Sequence, residues 1–193
     1  MSSFFENTLN TREVIPGSLR YVRSEFPEIL TDKDVKWLKD NNITTVVDFR
    51  DEANCKEKRC RLEDEEGFDY RHMPVTVGMQ VPPTPADVPI AYSMMVDDNL
   101  INILNFIENC KSNVLYFCNA GKDRTGVVSA MLLRRAGYDR KYIVDNYVLT
   151  ADNLREKLTA FVKEHEGLDI NVVIPKREYM EKFLDFVDSK NVR

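Results

Sequence analysis

Residues 116–126 read YFCNAGKDRTG, and the elements on either side of this stretch decide the fold. Val114 to Phe117 is a short apolar run, the pattern of a buried strand. Thr125 to Arg135 is again mostly apolar but has the length of a helix, and Gly137 stands where a helix is expected to end. The loop between them carries a cysteine, a glycine and an arginine. Backbone N–H groups in such a loop converge on one point, and the helix N-terminus adds positive potential, so the junction is an anion site. The guanidinium of Arg124 matches two phosphate oxygens at once. The thiol of Cys118 lies in the same field, which favours the thiolate. A thiolate at the floor of an oxyanion cradle is a nucleophile aimed at phosphorus.

Outward from this junction, further strands are read at Leu19 to Arg23, which alternates, at Ile43 to Phe49, which is rich in β-branched residues, and at Phe68 to Met73. Thr31 and Asp34 have the spacing of a capping box, so a helix starts there, buries Val35, Trp37 and Leu38, and ends near Asn41 and Asn42. Leu100, Ile103, Leu104 and Ile107 predict a helix over 97–110. Separate helices are predicted at 139–149, 152–164 and 176–188. Residues 51–67 are charge-dense and read as a solvated helix and loop. Residues 74–89 contain five prolines, so no regular element is expected, and a loop of that kind suits a lid or a binding loop. Strands alternating with helices give an α/β fold, a central, mostly parallel sheet with helices on both faces. Residues 1–18 show no clear period and are read as an N-terminal arm, with 19–193 as a single domain.

Composition bounds the function. The chain has 193 residues, 43% hydrophobic and 31% charged, enough for one sizeable core. The longest apolar run, Val127 to Leu133, falls far short of the ~20 residues a bilayer needs. The N-terminus lacks a basic start before an apolar stretch, so no signal peptide is expected. A net charge of −5 argues against general nucleic-acid binding but allows a local basic pocket for a small anion. The four cysteines, 55, 60, 110 and 118, are read as reduced thiols. The two histidines, 72 and 165, give no zinc spacing, and no metal or cofactor is expected. A nucleotide-binding P-loop fails, because Tyr116 and Asp123 occupy positions where it needs glycine and Ser or Thr. A lone cysteine at a strand end is most often inert and buried. Cysteine, glycine, arginine and threonine in register at this junction argue against that here.

Cys118, five intervening residues, then Arg124 and Thr125 resemble the signature loop of cysteine-dependent protein tyrosine phosphatases. The run AGKDRTG is similar to the bacterial branch whose members act on phosphotyrosine and in several cases on phosphoinositides. RYVRSE at 20–25, Leu30-Thr31 with Asp34, and ITTVVDFR at 43–50 resemble that branch in the same order. The resemblance implies Cys118 as the phosphocysteine-forming nucleophile and amides from Asn119 through Ala120, Gly121, Lys122 and Asp123 to Arg124 as phosphate ligands. It implies Arg124 as the phosphate clamp and Thr125 as donor to the leaving thiolate. Lys122 would add charge at the rim, and Asp48 and Arg50 would brace the loop. Two carboxylates compete as general acid: Asp123, within the loop, and Asp87, about thirty residues upstream, where ordinary members carry theirs. Phe117 departs from the histidine usual before the cysteine, and the N-terminus lacks the Arg-Asp-Leu-Gly-Gly pattern. The expected function is a cytoplasmic, metal-independent, dual-specificity phosphatase whose partner is a phosphorylated protein or a phosphoinositide. The alternatives are an inositol or lipid phosphatase with little protein activity, or a phosphate-binding module with weak turnover.

Overall fold

The computed structural model describes residues 3–76 and 81–192. Its sheet has five strands: β1 (Arg12–Ile15), β2 (Ser18–Glu25), β3 (Ile43–Asp48), β4 (Asp69–His72) and β5 (Asn113–Cys118). The spatial order is β1-β2-β5-β3-β4, antiparallel only at the β1–β2 edge. Thus β5 is central, and its last residues lie level with the ends of its neighbours: Glu25 pairs with Cys118 and Asp48 with Phe117. The carboxyl ends of β2, β5 and β3 therefore share one edge, the usual ligand edge of an open α/β sheet.

The period-2 alternation of β5 sends side chains into both layers. Leu115 and Phe117 join Val22, Val46, Val35 and Leu38 under α1 (Asp32–Asp40). Val114, Tyr116 and Cys118 face the larger layer of α3 (Val88–Met94), α4 (Asp98–Asn109), α5 (Asp123–Arg135), α6 (Arg140–Glu164) and α8 (Arg177–Ser189). The short helices α2 (Glu52–Glu57) and α7 (Ile170–Val173) flank the sheet edge and the end of α6. The helix boundaries follow local chemistry. Thr31 and Asp34 form the anticipated capping box. Gly137, at φ +82°, ends α5: its own N–H reaches the Arg134 carbonyl and that of Tyr138 the Leu133 carbonyl, each at 3.0 Å.

Three local expectations change. Within the predicted arm, Arg12–Ile15 is the edge strand β1, and Phe5 is buried against the Trp37 ring at 6.2 Å between centroids. The two helices predicted at 139–149 and 152–164 are one helix, α6, since no glycine or proline interrupts them and Thr150 is buried at mid-helix. The proline-rich segment ends in structure: Pro85–Asp87 forms a 3₁₀ turn, and Pro89 sits in the first turn of α3, where its missing N–H costs no bond. Residues 77–80 of that segment lie outside the described residues.

Candidate active site

Residues 119–122 join β5 to α5. Gly121 sits at φ +60°, and a Cβ built there would stand 2.4 Å from the Glu25 nitrogen and the Ser24 oxygen, so only glycine fits. Three carbonyls of the turn are caught from behind. The Asn119 carbonyl accepts the Phe26 N–H at 3.0 Å, and the Lys122 carbonyl accepts the Gly126 N–H at 2.9 Å. The Gly121 carbonyl accepts Arg23 Nη2 at 2.8 Å and Asn10 Nδ2 at 3.2 Å. In a trans peptide the next N–H points the opposite way. The N–H groups of Ala120, Lys122 and Asp123 are thereby directed to the other side of the loop, at the start of a 13-residue helix.

Cys118 is 2% exposed, and its Sγ accepts the Thr125 hydroxyl at 3.1 Å. Arg124 Nη1 donates to the Phe49 carbonyl at 3.2 Å, and the Phe49 N–H binds the Phe117 carbonyl at 2.9 Å, so the residue that follows β3 grips both ends of the turn. Asn119 Nδ2 donates to Asn54 Oδ1 on α2, whose N-cap is Asp51. The Asn54 N–H is the main reason the Asp51 carboxyl stays below its usual range, and Arg124 contributes. Asp48 and Arg50 form a fully buried pair, 2.7 Å from Nη2 to Oδ2. Burial opposes the Arg50 charge, but the hydrogen bonds and charge of Asp48 outweigh it and raise the guanidinium's proton affinity. Phe117 packs on the α1 face against Phe26, with ring centroids 5.9 Å apart, on the side of the strand opposite Cys118.

The two candidate acids are placed differently. Asp123 opens α5 next to Arg124, accepts the Tyr92 hydroxyl at 2.6 Å and lies 3.3 Å from Lys122 Nζ. Asp87 accepts the Thr84 hydroxyl at 2.6 Å and its N–H at 3.1 Å, closing its own turn. Lys122 departs from the expected rim position. It is 8% exposed, and its Nζ donates to the Val173 carbonyl at 2.6 Å, tying the loop to α7. Beside the loop opens an apolar cavity of about 220 Å³, bounded by Ala120, Lys122, Asp123, Tyr92, Leu158 and Val173. Lys157 lines both this cavity and a second cleft reaching Arg50 and Asn119.

Sequence reading passed over Arg23 and Tyr92. Arg23 alternates correctly for a strand, but arginine on an inner face has no sequence signal, since the residue is normally exposed. Tyr92 falls between the proline-rich segment and the helix predicted from residue 97, in a stretch given no element, yet it is buried with its hydroxyl between Asp123 and the Tyr147 hydroxyl, 2.7 Å away. Burial first, then the Asp123 charge, push the Tyr92 phenol well up.

A tyrosine-protein phosphatase of Nostoc commune is 49% identical over 41 residues, 21% of this chain and 14% of that protein, so the match spans about one seventh of the relative. The kinase associated phosphatase, solved with serine in place of its catalytic-site cysteine, superposes with a TM-score of 0.52 at 17% identity, over 90% of this chain and 88% of that one. Human DUSP28 gives 0.50 at 11% identity, over 95% and 96%. At these identities the structures speak for the fold, the five-stranded α/β sheet with helices on both faces. The description "Tyrosine phosphatase family" matches residues 7–191, nearly the whole sequence, and the chain belongs to the tyrosine phosphatase family.

Proposed function

We propose that the chain hydrolyses phosphomonoesters through a phosphocysteine on Cys118, with phosphotyrosine as the leading substrate. The observation that carries this is the Thr125 hydroxyl donating to Cys118 Sγ at 3.1 Å, at the foot of a loop whose carbonyls are held outward. In the first step the Cys118 thiolate attacks phosphorus and the P–O bond to the alcohol breaks. The departing oxygen takes a proton from a carboxylic acid. In the second step water attacks phosphorus, its proton passes to the resulting carboxylate, and the P–S bond breaks. Thr125 then stabilises the returning thiolate. Arg124, released from the Phe49 carbonyl, would take two phosphoryl oxygens, and the amides of Asn119 to Arg124 the remainder.

Asp123 is our choice of acid: it adjoins Arg124 and borders the cavity in which a leaving group would lie. Asp87 is engaged by its own turn. The cavity also favours an aryl group over a polyphosphorylated ring. Its walls are apolar at Val88, Leu154, Leu158 and Val173, and the Lys122 ammonium is engaged by a carbonyl and a carboxylate. Phosphoinositides stand second as substrates. A cysteine nucleophile works where thiols stay reduced, which is the reason for placing the protein in the cytoplasm.

The test is Cys118→Ser. The purified variant is expected to lose turnover of p-nitrophenyl phosphate entirely while still binding inorganic phosphate, because serine is not ionised at neutral pH and the loop is unchanged. Turnover near that of the parent would overturn the nucleophile assignment.

A further inference from the structure

Arg23 stands on β2 directly behind the loop and is completely buried. Its Nη2 donates to the Gly121 carbonyl at 2.8 Å and to Thr150 Oγ1 at 3.4 Å, and its Nη1 to Asn146 Oδ1 at 3.4 Å. Its Nε has no partner. Arg12 on β1 is buried beside it. Arg12 Nη2 reaches the Asn146 carbonyl at 2.9 Å and Thr150 Oγ1 at 3.1 Å, Nη1 reaches the Asn10 carbonyl, and Nε is again unpartnered. Among the described residues no carboxylate pairs with either guanidinium. The nearby Glu25 carboxylate accepts the amides of Leu9 at 2.6 Å and Asn10 at 3.0 Å.

Buried charges ordinarily carry a counter-ion, because desolvating one alone costs several kcal/mol. Burial accordingly lowers the proton affinity of both guanidiniums, although arginine stays charged at neutral pH. The groups of opposite tendency around Arg23 are the phenols Tyr116, Tyr147 and Tyr92, neutral in ordinary conditions, and Cys118. A positive charge is thus held behind the loop, faced by the nucleophile Cys118 itself and paired with no carboxylate among the described residues.

We propose that Arg23 is a positioning residue of the phosphate loop, turning the Gly121 carbonyl away from the anion and lending phosphoryl binding a charge that no carboxylate neutralises. This rests on reading the loop as a phosphate site.

The test measures inorganic phosphate affinity by calorimetry, with thermal melting and p-nitrophenyl phosphate turnover alongside. Asn146→Asp sets a carboxylate against Arg23 without touching the loop. It exchanges the Asn146 Nδ2 bond to the Val14 carbonyl for an ion pair, so melting is measured to show that the fold survives, and it is expected to bind phosphate about tenfold more weakly, as closing a nearby unit charge in a partly buried site implies. Arg23→Lys, which keeps the charge, is expected to stay within about threefold of the parent, and Arg23→Gln, which keeps only a donor, to lose about tenfold. Unchanged affinity in Asn146→Asp, or equal losses in Arg23→Lys and Arg23→Gln, would overturn the electrostatic role. A parent protein that neither binds phosphate nor turns over the ester overturns the phosphatase reading as well. An active parent with an indifferent Asn146→Asp overturns this proposal alone.

Discussion

Arg50 and Arg23 are buried on opposite sides of β5, at the ends of neighbouring strands, and their surroundings are opposite in kind. Arg50 closes on Asp48 with Nε at 3.0 Å and Nη2 at 2.7 Å, and lies 3.7 Å over the Phe26 ring. The same carboxylate accepts the Tyr70 hydroxyl at 2.5 Å and the Cys55 thiol at 3.5 Å. Arg23 meets only neutral acceptors, one of them the loop itself. A guanidinium neutralised at contact distance has little field left beyond its partner, so Arg50 acts as a brace. One left open exerts its field on whatever sits above it. The same residue type therefore does mechanical work on one side of the central strand and electrostatic work on the other.

Breaking the closed side gives the largest expected effect. Asp48→Asn leaves Arg50 buried without its carboxylate and should cost about 3–5 kcal/mol, read as a fall in the urea midpoint. Burial, then the Asp48 charge, hold the Cys55 thiol up to about 11. Its alkylation by iodoacetamide should therefore be slow near neutrality and quicken only as pH climbs toward that value. In the asparagine variant the quickening should move to lower pH. A loss under about 1 kcal/mol with an unmoved Cys55 profile would mean the pair is no brace.

An intermediate effect is expected where the open side meets the loop. Gly121→Ala puts a Cβ against Ser24 and Glu25 at a positive φ. It should cost about 1–3 kcal/mol of stability and a larger share of turnover, because the carbonyl that Arg23 holds must swing. Normal turnover in a stable alanine variant would show that the loop adapts without that contact.

The smallest effect concerns the carboxylates and leaves both arginines alone. Asp87→Asn weakens an exposed turn, at most about 1 kcal/mol, and should keep the alkaline limb of the pH–rate profile. Asp123→Asn should flatten that limb with a poor alkyl or tyrosyl leaving group, since a general acid serves only while protonated. The reverse pattern would transfer the acid to Asp87.

Local signals made the centre of this molecule legible from its residues. The β5–loop–α5 junction announces itself through an apolar run, a glycine and an arginine at fixed spacing. The Thr31–Asp34 cap and the Gly137 stop follow from backbone chemistry that needs no tertiary partner. What stayed hidden depends on distant chain. REVI at 12–15 is too short to show a period, and it becomes a strand only because β2 offers it an edge. Thr150 looks like a break between two helices until its hydroxyl is seen to serve Arg12 and Arg23. Lys122 reads as a rim charge because nothing in GKDR foretells a carbonyl of residue 173 within its reach.

The length of α6 has a consequence for how this sequence can drift. Its 25 residues span roughly 37 Å as one rod. Near its start, Tyr142, Asn146 and Thr150 meet β1 and the two arginines; farther along, Leu154 and Leu158 wall the cavity. A single residue inserted between Thr150 and Asn153 would turn everything downstream by about 100° and advance it by about 1.5 Å. Asn153 would then fall where Leu154 stood and Lys157 where Leu158 stood, replacing an oily wall by an amide and an ammonium. Point substitutions can wander along this helix, but insertions and deletions have room only beyond its ends, so the spacing of the two regions is inherited as a unit.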